Sequence, residues 1–466
     1  MPRMHVIRKS VALLMLFTGA CATQQPAYER PPVELPAAWK EAAPRFAEDG
    51  RWWRIYEDPV LEKFVQEGFE RNADLVIAAA RVDEARALLG ESRSALFPSV
   101  DARASAGRQR TSRETATSFA GVPREFSSYR ATIDVSYELD LFGRLRSGVA
   151  AARAELEASE ASREAVRLAL AAQVAKSYFA LRSFEQQVGL TRQTLKLREE
   201  SLALQRKRRD AGVISEFELR QLEAEAAAAR AQLPPLERER EREEAALAVL
   251  LGRSPAQVFE GEIKTSSIMQ ESLAPAALPS GLPSELLLRR PDLVEAERGL
   301  AAANARVAVA RSEMFPSISL TAALGSESAS LSNLFTGPAG IWSIAAAVTQ
   351  PIFAGGRLEA RTDAARARER AALAQYQQAI RSAFGEVRTA LVAQARARES
   401  YEAESARAAA LAETLRLARL RYEAGVASQL DVIDAERGLL AARVARIDAL
   451  RAQRAAVADL FRALGG

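Results

Sequence analysis

Two stretches that lack proline, Arg144 to Arg209 and Arg357 to Tyr422, decide most of what this chain can become. Both are crowded with Ala, Leu, Arg and Glu, which are strong helix formers, and at 1.5 Å of rise per residue each makes an unbroken helix roughly 100 Å long. The core of a compact globule is not that deep. An elongated helical body is therefore predicted.

The two stretches end alike. The first runs into Asp210-Ala211-Gly212-Val213-Ile214-Ser215-Glu216-Phe217-Glu218, the second into Glu423-Ala424-Gly425-Val426-Ala427-Ser428-Gln429-Leu430-Asp431, 213 positions later. Each glycine stands where a helix C-terminus favours a left-handed residue. Each serine has a carboxylate three residues on, the signature of a returning helix: Ser215 with Glu218 is a full capping box, and Ser428 with Asp431 a shorter-armed relative. Two long helical hairpins with matching tips follow.

Apolar residues along these helices form two seams. Leu181, Val188, Leu195 and Leu202 recur every seven residues, and Leu190, Leu197 and Leu204 recur two positions on, about 200° around the helix. The later helix carries Tyr401, Ala408, Leu415 and Tyr422 on one seam and Ala403, Ala410 and Leu417 on the other. A closed ring of helices, each flanked by two neighbours, needs this pattern. An ordinary antiparallel coiled coil with one wide buried face also produces it, and the helices alone leave both readings open.

The N-terminus reads as an export signal over residues 1–20. Arg3, Arg8 and Lys9 precede the apolar run Val11 to Phe17, which is too short to span a bilayer, and Thr18-Gly19-Ala20-Cys21 follows. Cys21, the only cysteine, resembles the lipidated cysteine of a bacterial lipobox, although Thr18 stands where a branched aliphatic is usual. A cysteine falling by chance near a plain cleavage site is the alternative. With Ala22 rather than aspartate after it, the bacterial sorting rule favours the outer membrane. Residues 21–51, rich in proline and polar residues from Gln24 to Pro36, read as a lipid-anchored tether.

Composition removes several function classes. A mature chain without a cysteine pair or His5, the sole histidine, has no disulfide, no His/Cys zinc site and no imidazole-based catalysis. The 60 acidic and 64 basic residues are interleaved along the helices, which is the pattern of solvated faces. A net charge of +4 without an aromatic-studded basic patch argues against nucleic acid. No phosphate-binding glycine loop or metal cluster is evident, so no cofactor and no enzymatic activity are expected.

Four short segments alternate apolar and polar residues. Around 129–139, Tyr129, Ala131, Ile133, Val135, Tyr137 and Leu139 share one face; its partner spans about 100–109. A second pair covers about 318–326 and 341–350. Strands of this length and pattern suit a wet-lumen barrel crossing an outer membrane. A soluble sheet covered on one face reads the same. The order of elements decides the matter: helix (about 60–96, later 284–313), strand pair and long hairpin (144–252, later 357–464) occur twice. Asp74-Leu75-Val76 recurs as Asp292-Leu293-Val294 and Leu96-Phe97-Pro98-Ser99 as Met314-Phe315-Pro316-Ser317, both at an offset of 218. The repeats divide the chain at 52–270 and 271–466. Pro234-Pro235, present only in the first copy, predicts a kink or break.

Arg289-Arg290-Pro291-Asp292-Leu293, Ala301-Ala302-Ala303-Asn304-Ala305, Gln350-Pro351-Ile352-Phe353-Ala354-Gly355-Gly356-Arg357 and, in the first half, Glu138-Leu139-Asp140-Leu141-Phe142-Gly143-Arg144 closely resemble the outer membrane factors of bacterial efflux systems, of the TolC and NodT type. The resemblance runs from about Trp52 to the C-terminus. It implies a mainly α-helical protein with a membrane β-barrel: a homotrimer whose four strands per chain close a twelve-stranded barrel and whose hairpins form a periplasmic α-barrel. Four strands alone would leave two edges in lipid, so one chain could not span the membrane by itself.

The same resemblance implies the working residues. Asp431-Val432-Ile433-Asp434 is similar to the family's Asp-Val-Leu-Asp entrance motif, so Asp431 and Asp434 would ring the periplasmic entrance, with Arg421 and Tyr422 in closed-state contacts. The first copy has Glu218 and Gln221, and Arg208 and Arg209, at these places, so an entrance ring would be uneven. Helix capping is the plain structural role for Asp431. Gly212, Val213, Ser215, Gly425, Val426 and Ser428 match the tips where family members meet a periplasmic adaptor protein. An inner-membrane pump, of resistance-nodulation-division type, would supply the energy, and the channel would conduct small molecules passively. Two other readings remain at this stage: a lipid-anchored periplasmic coiled-coil tether, and the outer-membrane channel of a type I protein-secretion system.

Overall fold

The computed structural model describes residues 30–32, 50–112, 114, 124–261, 263–265 and 286–466. The expected signal, Cys21 and nearly all of the tether lie outside these. The described elements, in order, are α1 (Pro59–Arg71), α2 (Ala73–Ser94), β1 (Ser99–Arg110), β2 (Glu125–Leu139), α3 (Arg144–Asp210), α4 (Glu216–Leu250), α5 (Pro255–Glu260), α6 (Leu286–Arg289), α7 (Pro291–Ser312), β3 (Ser317–Ser328), β4 (Gly340–Thr349), α8 (Arg357–Glu423) and α9 (Gln429–Leu464). Helices α3 and α8 are each 67 residues long, as the proline-free stretches require. The chain divides into two compact units, and each draws on both sequence repeats. Among the described residues, one comprises 30–32, 81–112, 114, 124–160 and 295–376; the other 50–80, 161–261, 263–265, 286–294 and 377–466.

The first unit holds the sheet. Its strands pair antiparallel in the order β1-β2-β3-β4, so β1 and β4 are edges. The register places Ala102, Ile133, Leu324 and Trp342 in one cross-strand row and Val100, Val135, Ala322 and Ile344 in the next, all on one face because side chains alternate along a strand. These rows are not covered: Trp342 is 76% and Ile344 79% exposed. The opposite face carries Arg103 beside Asp134 (3.5 Å) and Arg130 beside Glu327 (3.3 Å). Gly325 also lies there because a Cβ at this position would sit 2.1 Å from the Ala131 carbonyl oxygen. The strands match the expected segments, but β2 begins four residues earlier, since Glu125 still pairs with Arg110.

The second unit has an aromatic core where the chain enters and leaves it. Trp52 stacks on Phe461 at 5.5 Å, and the Tyr56 hydroxyl donates to the Arg454 carbonyl at 2.7 Å. Asp58 caps α1 by accepting from the Val60 amide, and it also accepts from the Tyr178 hydroxyl (2.6 Å) and the buried Arg182 guanidinium (3.1 Å). With the Leu61 amide at 3.3 Å as well, burial of this carboxylate is matched by four donors.

The expected single helix over 60–96 is two helices. Asn72 adopts an extended backbone, its carboxamide oxygen accepts from the Asp74 amide at 2.9 Å, and its amide group donates to the Leu250 carbonyl at 2.9 Å. A side chain that caps the next helix while tying down another ends the first one. The expected helix over 284–313 likewise divides at Arg290, where Pro291 occupies the first turn of α7 and cannot donate. Arg290 is used as a clamp: it donates to the Ala463 carbonyl near the end of α9 and pairs with Asp292 and Glu386.

Of the kink or break expected at Pro234-Pro235, the break does not occur: α4 is helical throughout. Both prolines are exposed, as are Arg230 and Ala231, whose carbonyls lose their donors. Water can satisfy those carbonyls, so the loss does not end the helix.

The two seams of α3 have different fates. Leu181, Val188 and Leu202 are buried, whereas Leu197 and Leu204 are 54% and 57% exposed. On α8, Ala408 is buried while Ala403, Ala410 and Leu417 are exposed. Toward the tips, the second seam of each long helix is thus left exposed within one chain.

Candidate functional site

The hairpin tips are near copies of each other. Gly212 and Gly425 both have φ of +74°, beyond the reach of most side-chain-bearing residues. At the first tip the Gly212 amide donates to the Arg209 carbonyl and the Val213 amide to the Arg208 carbonyl; at the second, Gly425 donates to Tyr422 and Val426 to Arg421. Both α3 and α8 thus end with the doubled reverse bonds of a glycine-terminated helix.

The returning helices start alike too. The Ser215 hydroxyl accepts from the Glu218 amide while the Glu218 carboxylate accepts from the Ser215 amide at 2.9 Å. The Ser428 hydroxyl accepts from the Asp431 amide, and Asp431 accepts from the Ser428 amide at 2.7 Å. The shorter aspartate arm therefore closes a complete capping box. Bonds from the Ser428 backbone and hydroxyl, aided by the charge of Arg421, hold the Asp431 carboxyl below the usual aspartate range.

Asp431 and Asp434 consequently differ. Asp431 accepts from the Ser428 amide and hydroxyl within its own chain. Asp434, one turn on, is largely exposed and stands 3.4 Å from Arg437. Arg421 is exposed and Tyr422 half-buried beside the tip. At the first tip Arg209 instead pairs with Asp210 and Glu216. Exposed apolar residues recur at equivalent places in the two tips: Val213 and Val426, then Phe217 and Leu430. Ile433 turns inward and packs with Leu202, Leu219, Leu222 and Ala226, which joins the second tip to the first hairpin.

Below the tips lies an ionic group that the residue pattern did not reveal. Glu225 on α4 is 5% exposed. Arg198 of α3 pairs with it at 3.2 Å and also donates to its backbone carbonyl, while Arg437 of α9 donates to its carboxylate from across the other hairpin. Interleaved charge on a helix reads as a solvated face, so nothing singled these residues out. A residue-by-residue comparison of the repeats holds the signal: 213 positions on, Arg198 and Glu225 become Leu411 and Gly438. These two also meet, since a Cβ on Gly438 would touch the Leu411 side chain at 3.4 Å.

Among the described residues no His/Cys/Asp/Glu group is arranged to hold a metal ion, and no helix is long and apolar enough to cross a membrane.

Comparison with known proteins places this architecture. The model of the outer membrane efflux protein family matches residues 64–253 and 282–466. The chain is 35% identical over 468 residues to the probable efflux pump outer membrane protein TtgC of Pseudomonas putida, covering 98% of this chain and 95% of the relative. It is 32% identical over 463 residues to the probable outer membrane lipoprotein SilC of Salmonella typhimurium, with 98% of each covered. Among solved structures, the open state of the Neisseria gonorrhoeae MtrE outer membrane channel superposes with a TM-score of 0.83 at 35% identity, covering 95% of this chain and 97% of that one.

Proposed function

The chain belongs to the outer membrane efflux protein family, and from that premise we propose that it is the outer-membrane channel of a tripartite efflux system, conducting small toxic molecules passively to the exterior. One observation carries the reading: among the described residues, a four-stranded open sheet with one bare apolar face and two unpaired edges. In lipid each unpaired backbone group costs several kcal/mol, while the apolar face gains by leaving water. Three chains joined β1 to β4 would remove all the edges and enclose the Arg103, Asp134, Arg130 and Glu327 face as a wet lumen.

The helices support the same assembly. Leu197, Leu204 and Leu417 are left about half exposed along these seams, and a second copy would cover them. The exposed pairs Val213 with Val426 and Phe217 with Leu430 offer apolar knobs for the helical hairpin of an adaptor protein, through which an inner-membrane pump of resistance-nodulation-division type would drive transport. Of the two entrance carboxylates, Asp434 is the one available to meet its symmetry mates, since Asp431 is engaged by Ser428. Opening would be a shear of packed helices at the tips, involving Arg421 and Tyr422. Lipidation of Cys21 accords with the lipoprotein name of the Salmonella relative.

Planar bilayers test the reading. The purified protein, running as a heat-modifiable trimer, is expected to give discrete conductance steps, and its Cys21 to take up labelled palmitate. A soluble monomer without conductance would remove the channel assignment.

A further inference from the structure

On β1 the membrane-facing side changes character at one point. Val100, Ala102, Ala104 and Ala106 occupy that face, and the next two residues of the same parity are Arg108 and Arg110, in unbroken register with β2. At ~3.4 Å per residue the strand covers ~34 Å from Val100 to Arg110. A tilt of about 40° reduces this to ~26 Å along the membrane normal, close to the ~25 Å apolar band of an outer-membrane barrel. The two guanidiniums therefore fall at the polar boundary of the leaflet away from the helices.

Among the described residues their local charge is unbalanced. Arg108 lies 3.2 Å and Arg110 3.6 Å from a single carboxylate, Glu125 on β2, and both arginines are mostly exposed. Glu125 holds the two side chains side by side and neutralises one of them. At the same end and on the same face, β2 adds Ser127, β3 adds Ser326 and Ser328, and β4 adds Gly340. The basic residues of the opposite face, Arg103 and Arg130, have their own carboxylates.

We infer that Arg108 and Arg110, bridged by Glu125, form a binding site for the phosphate groups of an outer-leaflet lipid. Guanidiniums chelate phosphate through paired N–H groups, and arginines at a membrane boundary attract anionic headgroups. The site continues the apolar lipid-facing band, so the acyl chains of the same lipid lie against Ala102 to Ala106 and Ile133. A lipid bound here sits beside an edge strand, where it would seal the seam to the next copy.

The inference rests on the channel reading, and its test separates the two. Full-length protein, R108S/R110S, R108K/R110K and R103S are reconstituted in phosphatidylcholine liposomes containing either phosphorylated lipid A or its dephosphorylated form, then re-extracted in mild detergent. Lipid retained per protein is measured by mass spectrometry, and conductance is recorded for each. The native protein and R103S are expected to retain the phosphorylated lipid several-fold over the dephosphorylated one. R108S/R110S loses that preference while still conducting, and R108K/R110K, with charge but no fork, keeps a weakened preference, which also guards against a folding defect in the serine variant. Equal retention of both lipids by the native protein would overturn the site, as would displacement by millimolar inorganic phosphate, which would make it a free-anion site. Absence of conductance in the native protein would instead count against the channel.

Discussion

Arg437 on α9 donates from Nε to Oε1 of Glu225 on α4 at 2.8 Å, joining the returning helices of the two hairpins through a carboxylate that is almost wholly buried. Arg198 satisfies the other oxygen. The three members differ in what their loss leaves behind.

Removal of the acid strands a buried cation, whereas removal of the half-exposed Arg437 leaves Glu225 with Arg198. Glu225→Ala is expected to cost roughly 3–5 kcal/mol and Arg437→Ala only about 1 kcal/mol. The order of their denaturant midpoints in detergent checks this. Equal midpoints would show that Arg198 alone does not hold the buried carboxylate once Arg437 is gone.

At the second tip the two aspartates should separate cleanly. Asp434→Asn is expected to weaken multivalent-cation block of single-channel current while leaving stability unchanged. Asp431→Ala should loosen the start of α9, because the Ser428 amide then loses its acceptor. Exchange of the Ser428 amide, read by hydrogen exchange, reports the second effect independently of the first.

The pH dependence of that cap follows from the lowered Asp431 carboxyl. Because the folded-state value lies beneath the unfolded one, its contribution is fully present above the ordinary aspartate range of about 4 and disappears only as pH falls through the lower folded value. Protection of the Ser428 amide should therefore persist at pH 5. Loss of protection already between pH 7 and 5 would mean that Asp431 is not the group holding it.

Arg30, on the short described piece of the tether, grips Glu297 of α7 with two bonds, Nε to Oε1 at 2.9 Å and Nη2 to Oε2 at 2.5 Å. Glu297 is buried, and with burial it raises the nearby Tyr376 hydroxyl above its usual value. Arg30→Ala should destabilise by roughly 1–3 kcal/mol, with part of that recovered in Arg30→Ala/Glu297→Gln, where no buried charge remains. A urea titration of the native protein, Arg30→Ala, Glu297→Gln and the double variant gives the coupling. Additive effects would show that the two side chains act separately.

Gly325 offers a steric test of the sheet. A Cβ there meets the Ala131 carbonyl oxygen at 2.1 Å and the Thr132 Cα at 2.7 Å, both backbone atoms that cannot turn aside. Gly325→Ala is expected to disturb β2–β3 pairing and sharply reduce the yield of conducting protein, while Gly107→Ala, with open space around it, should be tolerated.

Local rules made much of this protein readable before any coordinates. Helix propensity and the absence of proline set the 67-residue helices; Gly212, Gly425 and the serines after them set the tips; strict alternation set the four strands, whose ends moved by four residues at most. Those signals depend on neighbours within a few positions, so one chain displays them completely. Partners far away in sequence were decided by tertiary structure. Asn72 ends a helix because Leu250 lies within its reach, and the prolines of α4 fail to end one because the freed carbonyls face water. Arg198, Glu225 and Arg437 became a buried group because three helices converge, although each looks like ordinary surface charge in the sequence. Asp431, likewise, could cap a helix or line an entrance on its spacing alone, and the bond it accepts from Ser428 shows the cap.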